Sequence, residues 1–175
     1  MIQAPDYAEA LLAWRIWRVA RAGDGFALTS IIQRTAWPAG RSLTAECLRC
    51  PSLLARLRRR PRHEAPETRC ECGIYGASLE QVSPYLAETP RTGVGRVLGL
   101  VSLWGTVVEC ERGYRASCAY PARIYVPVDA SNDPDFDALT IAAGLERYGV
   151  PTELVEADCR RALRQLAAHR AAPAA

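Results

Sequence analysis

Four cysteines and one histidine stand close together in the middle of this chain, and they constrain its fold more than any other feature. Cys47 and Cys50 form a C-x2-C pair, Cys70 and Cys72 form a C-x-C pair, and His63 lies between the two pairs. A structural zinc ion prefers thiolate and imidazole ligands and binds four of them in a tetrahedron. The sequence therefore predicts that four of these five residues bind one zinc ion.

The spacing within the cluster supports this prediction unequally. C-x2-C is the usual spacing of a zinc-binding turn, whereas C-x-C is less typical and needs the tight turn that Gly73 allows. Nearby arginines would lower the pKa of the thiols and favour the thiolate form that binds metal. Two alternatives stay open, because free cysteines are often inert core residues and because paired thiols can serve redox chemistry.

Cysteine usage also bears on the compartment. The chain has seven cysteines, an odd number, and no N-terminal stretch with the pattern of a secretory signal. No apolar run reaches the roughly 20 residues that cross a bilayer. We therefore expect a cytoplasmic protein with reduced or metal-bound thiols and no membrane association.

Composition excludes several catalytic classes. With 175 residues, of which 49% are apolar and 23% charged, the chain is typical of one globular domain. All 22 basic residues are arginines, so no lysine can form a Schiff base or bind phosphate in a Walker-A loop. No catalytic constellation is as specific as the cysteine cluster, and we expect a non-enzymatic protein.

A β-hairpin is predicted near the N-terminus. Apolar residues alternate from Leu12 to Val19, which favours a strand, although a helix through Leu12, Ile16 and Val19 is also compatible. The turn signal at 22–25 leads into a second apolar run at 26–32, as in a hairpin.

The strongest strand signal lies at residues 94–127. The run 97–108 is apolar on both faces, which indicates a central or barrel strand, and Gly99 and Gly105 are predicted bends within it. A turn then leads to a second strand, which Pro121 is expected to end before one more strand begins. The sequence therefore predicts an α+β fold with a coiled antiparallel sheet or small β-barrel.

Two short helices are expected around the cysteine cluster. Leucines at helical spacing indicate one at 51–60, and Pro61 should end it because proline cannot continue the hydrogen-bond ladder. Ser78 and Gln81 have the spacing of a capping box, so another helix should start there, although Pro84 limits or kinks it.

The C-terminal part is predicted to be a helical pair. Helices are expected at 135–148 and 152–169, with a stop and restart at Gly149-Val150-Pro151. The predicted division of the chain is a β-rich domain with the metal-binding loop region at 1–128, the helical pair at 129–170 and a mobile tail at 171–175.

Several motifs resemble a group of small proteins from GC-rich actinobacteria. That group carries an H-x-A-P-x3-C-x-C-G-I-Y-G run, found here at 63–76, and a later G-x-V-x-L-W-G-x-V segment, found at Gly99–Val107. It also carries Gly-Tyr-Arg-Ala and Ala-Tyr-Pro, found at Gly113–Ala116 and Ala119–Pro121. The resemblance implies no activity.

The resemblance does imply which residues bind the metal. The residues on the group's pattern are Cys47, His63, Cys70 and Cys72, and those off it are Cys50, Cys110, Cys118 and Cys159. We therefore predict the first four as ligands. Cys50 is the candidate substitute, because its spacing from Cys47 suits a zinc-binding turn.

The expected function is a zinc-stabilised binding or adaptor module with a protein partner. One alternative is an enzyme that uses the same cluster, as an open catalytic zinc site or as a redox thiol pair. Another is a nucleic-acid accessory protein that uses the basic run Arg56–Arg62, although no aromatic residues are interleaved there for base stacking.

Overall fold

The longest strands, β5 (Gly95–Cys110) and β6 (Gly113–Pro127), form the hairpin at the centre of a seven-stranded sheet. The computed structural model describes residues 10–23, 25–33, 35–47, 63–86, 93–131 and 133–156. In these parts of the chain the protein is mostly β-sheet with two short helices, which is consistent with the predicted α+β class.

The predicted N-terminal hairpin is confirmed. β1 (Leu11–Ala22) and β2 (Gly25–Ser30) pair antiparallel, and β1 also pairs with β5. The two faces of β1 contribute to separate apolar clusters, one of which contains Trp17 and the other Trp14. The alternation in the sequence therefore reflects a strand that is buried on both faces.

Two short strands lie along β6, and the second of them connects it to β1. β3 (Leu43–Thr44) and β4 (Ile74–Ala77) both pair antiparallel with β6. β4 also meets β1, where Ala77 lies opposite Trp14. This additional pairing makes the sheet curl from β6 back toward β1, although it does not form a clear barrel.

Two register shifts bend the central hairpin. One follows Leu100 and the other follows Trp104, next to the bends that were predicted at Gly99 and Gly105. Gly105 has a φ of +73°, and a Cβ atom there would lie only 2.3 Å from Oγ of Ser117. Glycine is thus required where the strand turns, because a side chain would be both strained and obstructed.

The prediction that Pro121 ends a strand is wrong. β6 continues through it, because Leu100 pairs with Arg123 and Val101 pairs with Pro121, which leaves Ala122 as a bulge. A bulge tolerates the missing N–H of proline, so one long strand replaces the two that were predicted.

The helix predicted to start near Ser78 is confirmed as α1 (Leu79–Leu86), with Pro84 inside it. The Gln81 N–H donates to the Ser78 hydroxyl oxygen over 3.4 Å, as expected for a helix cap. α1 packs against the apolar cluster that contains Trp14. The helix predicted at 51–60 lies outside the described residues.

The C-terminal helical pair is confirmed only in its first member. α2 (Ala138–Leu145) and a 3-10 helix (Glu146–Tyr148) occupy the first predicted helix. The prediction that a second helix starts at Thr152 is wrong, because Thr152–Val155 forms β7 and pairs in parallel with the end of β6. Hydrogen bonding to a strand edge overrides local helix propensity here. The rest of that predicted helix and the predicted tail lie outside the described residues.

A buried tyrosine connects α2 and the 3-10 helix to the sheet. The Tyr148 hydroxyl donates to the carbonyl oxygen of Trp37 over 2.7 Å and accepts from the N–H of Leu28 over 2.8 Å. Burial raises the pKa of Tyr148. α2 thus shares the main apolar cluster with the strands. No helix in the described part of the chain has the length and apolar character needed to cross a membrane.

Replacing Tyr148 by phenylalanine should lower the free energy of unfolding by about 1–3 kcal/mol, because the Leu28 N–H and the Trp37 carbonyl lose a buried partner. Urea denaturation followed by tryptophan fluorescence measures this difference. Tyr85→Phe is the matched control, since Tyr85 is 39% exposed and its hydroxyl makes no hydrogen bond to the described residues. Equal stability of the two variants would contradict the connecting role of Tyr148.

Candidate metal centre

The four predicted ligands converge in the structure. The Sγ atoms of Cys47 and Cys70 are 3.8 Å apart, and Nε2 of His63 lies 3.2 Å from Sγ of Cys72. All four donor atoms lie within 4.8 Å of one another. Tetrahedral ligands at zinc bond lengths of about 2.0–2.3 Å would lie about 3.6–3.8 Å apart. The four side chains therefore fit a metal ion held between them.

One edge of β6 places the two cysteine segments side by side. Thr44 pairs with Cys118, three residues before the chain reaches Cys47. Ile74 pairs with the same strand two positions away, directly after the C-x-C-G turn. The register of strand pairing therefore sets how close these ligands come, although they are far apart in the sequence.

The C-x-C pair lies on the tight turn that its spacing requires. Gly73 has a φ of +120°, and a Cβ atom there would lie 3.0 Å from Cβ of Arg115. The Cys70 N–H donates to the carbonyl oxygen of Glu67 over 3.0 Å, which closes the preceding turn. Both thiols of the pair are buried, whereas Cys47 is half-buried and His63 is exposed.

The two thiols of this turn differ in acidity. The backbone N–H of Cys72, together with hydrogen bonds from the neighbouring ligand side chains, lowers the pKa of Cys70 to about 7. Burial and the proximity of Cys70 raise the pKa of Cys72. A divalent cation among the four donors would favour the thiolate form of both cysteines and would oppose the effect of burial on Cys72. The donor set thus suits a cation better than it suits two free thiolates.

A buried arginine on β6, which the sequence analysis did not single out, holds the turn. Nη1 of Arg115 donates to the carbonyl oxygens of Cys70, Cys72 and Glu67, the last two over 3.0 and 3.3 Å. Its Nε donates to Sγ of Cys110 over 3.0 Å. Because a guanidinium carries several N–H donors in one plane, a single side chain can hold the carbonyls of the C-x-C pair and of the turn before it.

The other cysteines divide into two groups. Cys110 and Cys118 do not belong to the cluster of donor atoms, and Cys110 contacts Arg115 instead. Cys50 and Cys159 lie outside the described residues, so the role of Cys50 as a substitute ligand stays a prediction. The basic run Arg56–Arg62 also lies outside them.

Arg115→Gln should lower the free energy of unfolding by about 1.5–3 kcal/mol, because the carbonyls of the ligand turn lose charge-assisted hydrogen bonds. The difference is measured by urea denaturation at pH 7.5 in the presence of zinc. Arg112→Gln is the matched control, since Arg112 is exposed on the adjacent turn and makes no hydrogen bond or ion pair to the described residues. If Arg115→Gln were as stable as the control, the hydrogen bonds of Arg115 would not stabilise the turn and the prediction would be wrong.

Comparison with known proteins adds no further constraint. No protein-family model matches the chain, and neither the curated proteins nor the solved structures contain a match. The resemblance to small actinobacterial proteins therefore stays a prediction. What the chain does has to be inferred from the geometry of its own residues.

Proposed function

We propose that this protein is a non-enzymatic binding module whose loop region is held in shape by one zinc ion bound to Cys47, His63, Cys70 and Cys72. The observation that carries the proposal is that these four donor atoms lie within 4.8 Å of one another. Three of the four residues are cysteines, whose soft thiolates select zinc over hard cations such as magnesium or calcium. Zinc also accepts a tetrahedral Cys3His set without redox chemistry.

The number of protein ligands favours a structural role. Four side chains complete a tetrahedron, so no position is left for the water or substrate that a catalytic zinc needs. The loop around the site buries only a small apolar cluster, formed by Ala65, Cys70 and Cys72 with Ala45 and Cys47 packed against it. Such a loop gains its stability from the ion, and the free energy of metal binding becomes free energy of folding.

A binding role follows from the same geometry. An ion that fixes the loops beside β3 and β4 gives this face of the sheet a defined shape, which recognition of a partner requires. A protein partner, expected from the sequence, stays a prediction, and so does the nucleic-acid alternative. The enzymatic rival would use the same cluster as an open zinc site or would oxidise Cys47 and Cys70 to a disulfide.

Protein purified without a metal-binding tag should contain one zinc ion per chain, measured by elemental analysis. Cys70→Ser should lose most of it, because three ligands bind zinc far more weakly than four. Cys118→Ser is the matched control and should keep full content, since Cys118 is outside the cluster. A folded, metal-free wild type would contradict the proposal, and zinc loss in Cys50→Ser but not in Cys47→Ser would correct the ligand set.

X-ray absorption at the zinc edge should show three sulfur ligands at about 2.3 Å and one nitrogen at about 2.0–2.1 Å. This set is expected because all four protein donors are in reach of one point. An additional oxygen ligand with one protein donor missing would instead support the catalytic-zinc rival. The spectrum of Cys118→Ser should match that of the wild type and controls for changes caused by losing any cysteine.

A further inference from the structure

A cavity of about 580 Å³ opens beside the candidate metal centre. Its walls come from β1, from the segment between β2 and β3, from β3 and β4, from α1 and from the turn between β5 and β6. A volume of this size is typical of sites for small molecules. Most of its lining is apolar, and the larger aliphatic and tryptophan side chains are Trp14, Ile16, Ile31, Ile32, Leu43, Ile74 and Val82.

Two arginines line this cavity: Arg112 is exposed on the turn between β5 and β6, and Arg15 lies on β1. Arg15 forms no ion pair within the described part of the chain. Nη1 of Arg15 donates to the carbonyl oxygen of Tyr75, and Nη2 donates to Oγ of Ser30 over 3.1 Å. The guanidinium also lies over the ring of Trp37, with 4.9 Å from Cζ to the ring centroid. Its Nε is fully buried and has no hydrogen-bond partner in the described part of the chain. Glu46, the acidic residue that lines the cavity, forms no ion pair with it.

The hydroxyl of Ser30 adds a second donor at the same place. Its oxygen already accepts from Nη2 of Arg15 and from Nε1 of Trp37, the latter over 3.2 Å. Both lone pairs are therefore used, and within the described residues its own hydrogen has no acceptor. Arg15 and Ser30 together thus offer hydrogen-bond donors and a positive charge, and they offer no acceptor. That combination recognises an oxyanion.

The environment of Arg15 strengthens the case for an anionic partner. Burial lowers the pKa of Arg15 to about 10, so the group is poorly solvated but still charged at neutral pH. A buried charge is costly unless an opposite charge or hydrogen bonds compensate it. At the head-group position, the one cation Arg15 and the neutral hydroxyl of Ser30 suit a monoanion. The apolar walls suit a ligand whose remaining atoms are hydrocarbon.

We propose that this cavity binds a small amphipathic carboxylic acid, with its carboxylate on Arg15 and Ser30 and its hydrocarbon part along Trp14, Ile31 and Val82. Ile32 and Tyr75, which line the cavity and are 83% and 46% exposed, mark the side where the ligand enters. The proposal goes beyond the metal centre and does not rest on it, because none of the contacts that define the head-group site involves a zinc ligand.

The probe for the test is decanoate, titrated into the zinc-loaded full-length chain in a calorimeter. We expect one decanoate bound per chain, because a single cation defines the head-group site. Decan-1-ol, which has the same chain without the charge, should bind at least about tenfold more weakly, since hydrogen bonds to a charged group are lost.

Two variants and one control locate the site. Arg15→Gln should weaken decanoate binding at least about tenfold and should bring it close to that of decan-1-ol. Val82→Trp fills the cavity from α1 and should abolish binding of both probes. Because this variant keeps Arg15 and Ser30, it still tests the proposal if Arg15→Gln does not fold. Arg21→Gln is the control, because Arg21 is on the same strand but pairs with Asp133 outside the cavity. It should bind decanoate as the wild type does.

Three results with the two probes would overturn the proposal. They are the absence of decanoate binding to folded, zinc-loaded wild type, equal binding of decanoate and decan-1-ol, and unchanged decanoate binding in Val82→Trp. Tighter binding of a short apolar peptide with a free C-terminal carboxylate would assign the site to a protein terminus and would also overturn it. Zinc content, measured on the same samples, keeps a failure of this proposal distinct from a failure of the metal site.

Discussion

The edge of β6 that faces away from β5 is the constraint on which both the candidate metal centre and the cavity depend. Along this one strand, the edge accepts β4 at Gly113–Ala116, β3 at Cys118 and Ala119, and β7 at Ile124–Pro127. These partners are widely separated in the sequence, and main-chain hydrogen bonds fix the register of each. The segments that leave β3 and enter β4 consequently lie next to each other. Their side chains form the metal cluster on one side and a wall of the cavity on the other.

Elements with a local signal were predicted correctly from the sequence. The β1–β2 hairpin is specified by alternation and a short turn, and α1 is specified by a cap at Ser78, so the information lies within a few residues. The two errors share a different cause. Whether Pro121 interrupts a strand depends on a bulge opposite Leu100, and whether Thr152 starts a helix depends on the free edge of β6. Both outcomes depend on pairing with residues far away in the sequence, which a local pattern does not reveal.

In the candidate site, too, some residues could be identified from the sequence and others only from the strand pairing. That Cys47, His63, Cys70 and Cys72 come together could be predicted because few residue types bind zinc and because the chain gathers them in one stretch. The choice of these four over Cys50 came from the resemblance to other proteins, and their binding of zinc stays a prediction. Arg115 and Arg15 could not be assigned a role in advance, although each carried a signal as a cation among apolar strand residues. Such a position requires polar partners. Here those partners are backbone carbonyls and a hydroxyl from other elements, which strand pairing alone brings into reach.

The absence of lysine gives these buried cations a particular property. A lysine can lose its proton when it is desolvated, whereas a guanidinium remains charged, as Arg15 does with a pKa of about 10. The charge of each buried arginine must therefore be compensated by hydrogen bonds or by an anion.

The charge of Arg115 is compensated within the protein, since its donors reach three carbonyls and a thiol and none of its buried nitrogens is left without a partner. The charge of Arg15 is compensated only in part, because its buried Nε has no partner in the described part of the chain and the guanidinium faces a cavity. Two residues of the same type, on strands of the same sheet, are thus suited to different tasks: one stabilises a turn, and the other is available to a ligand.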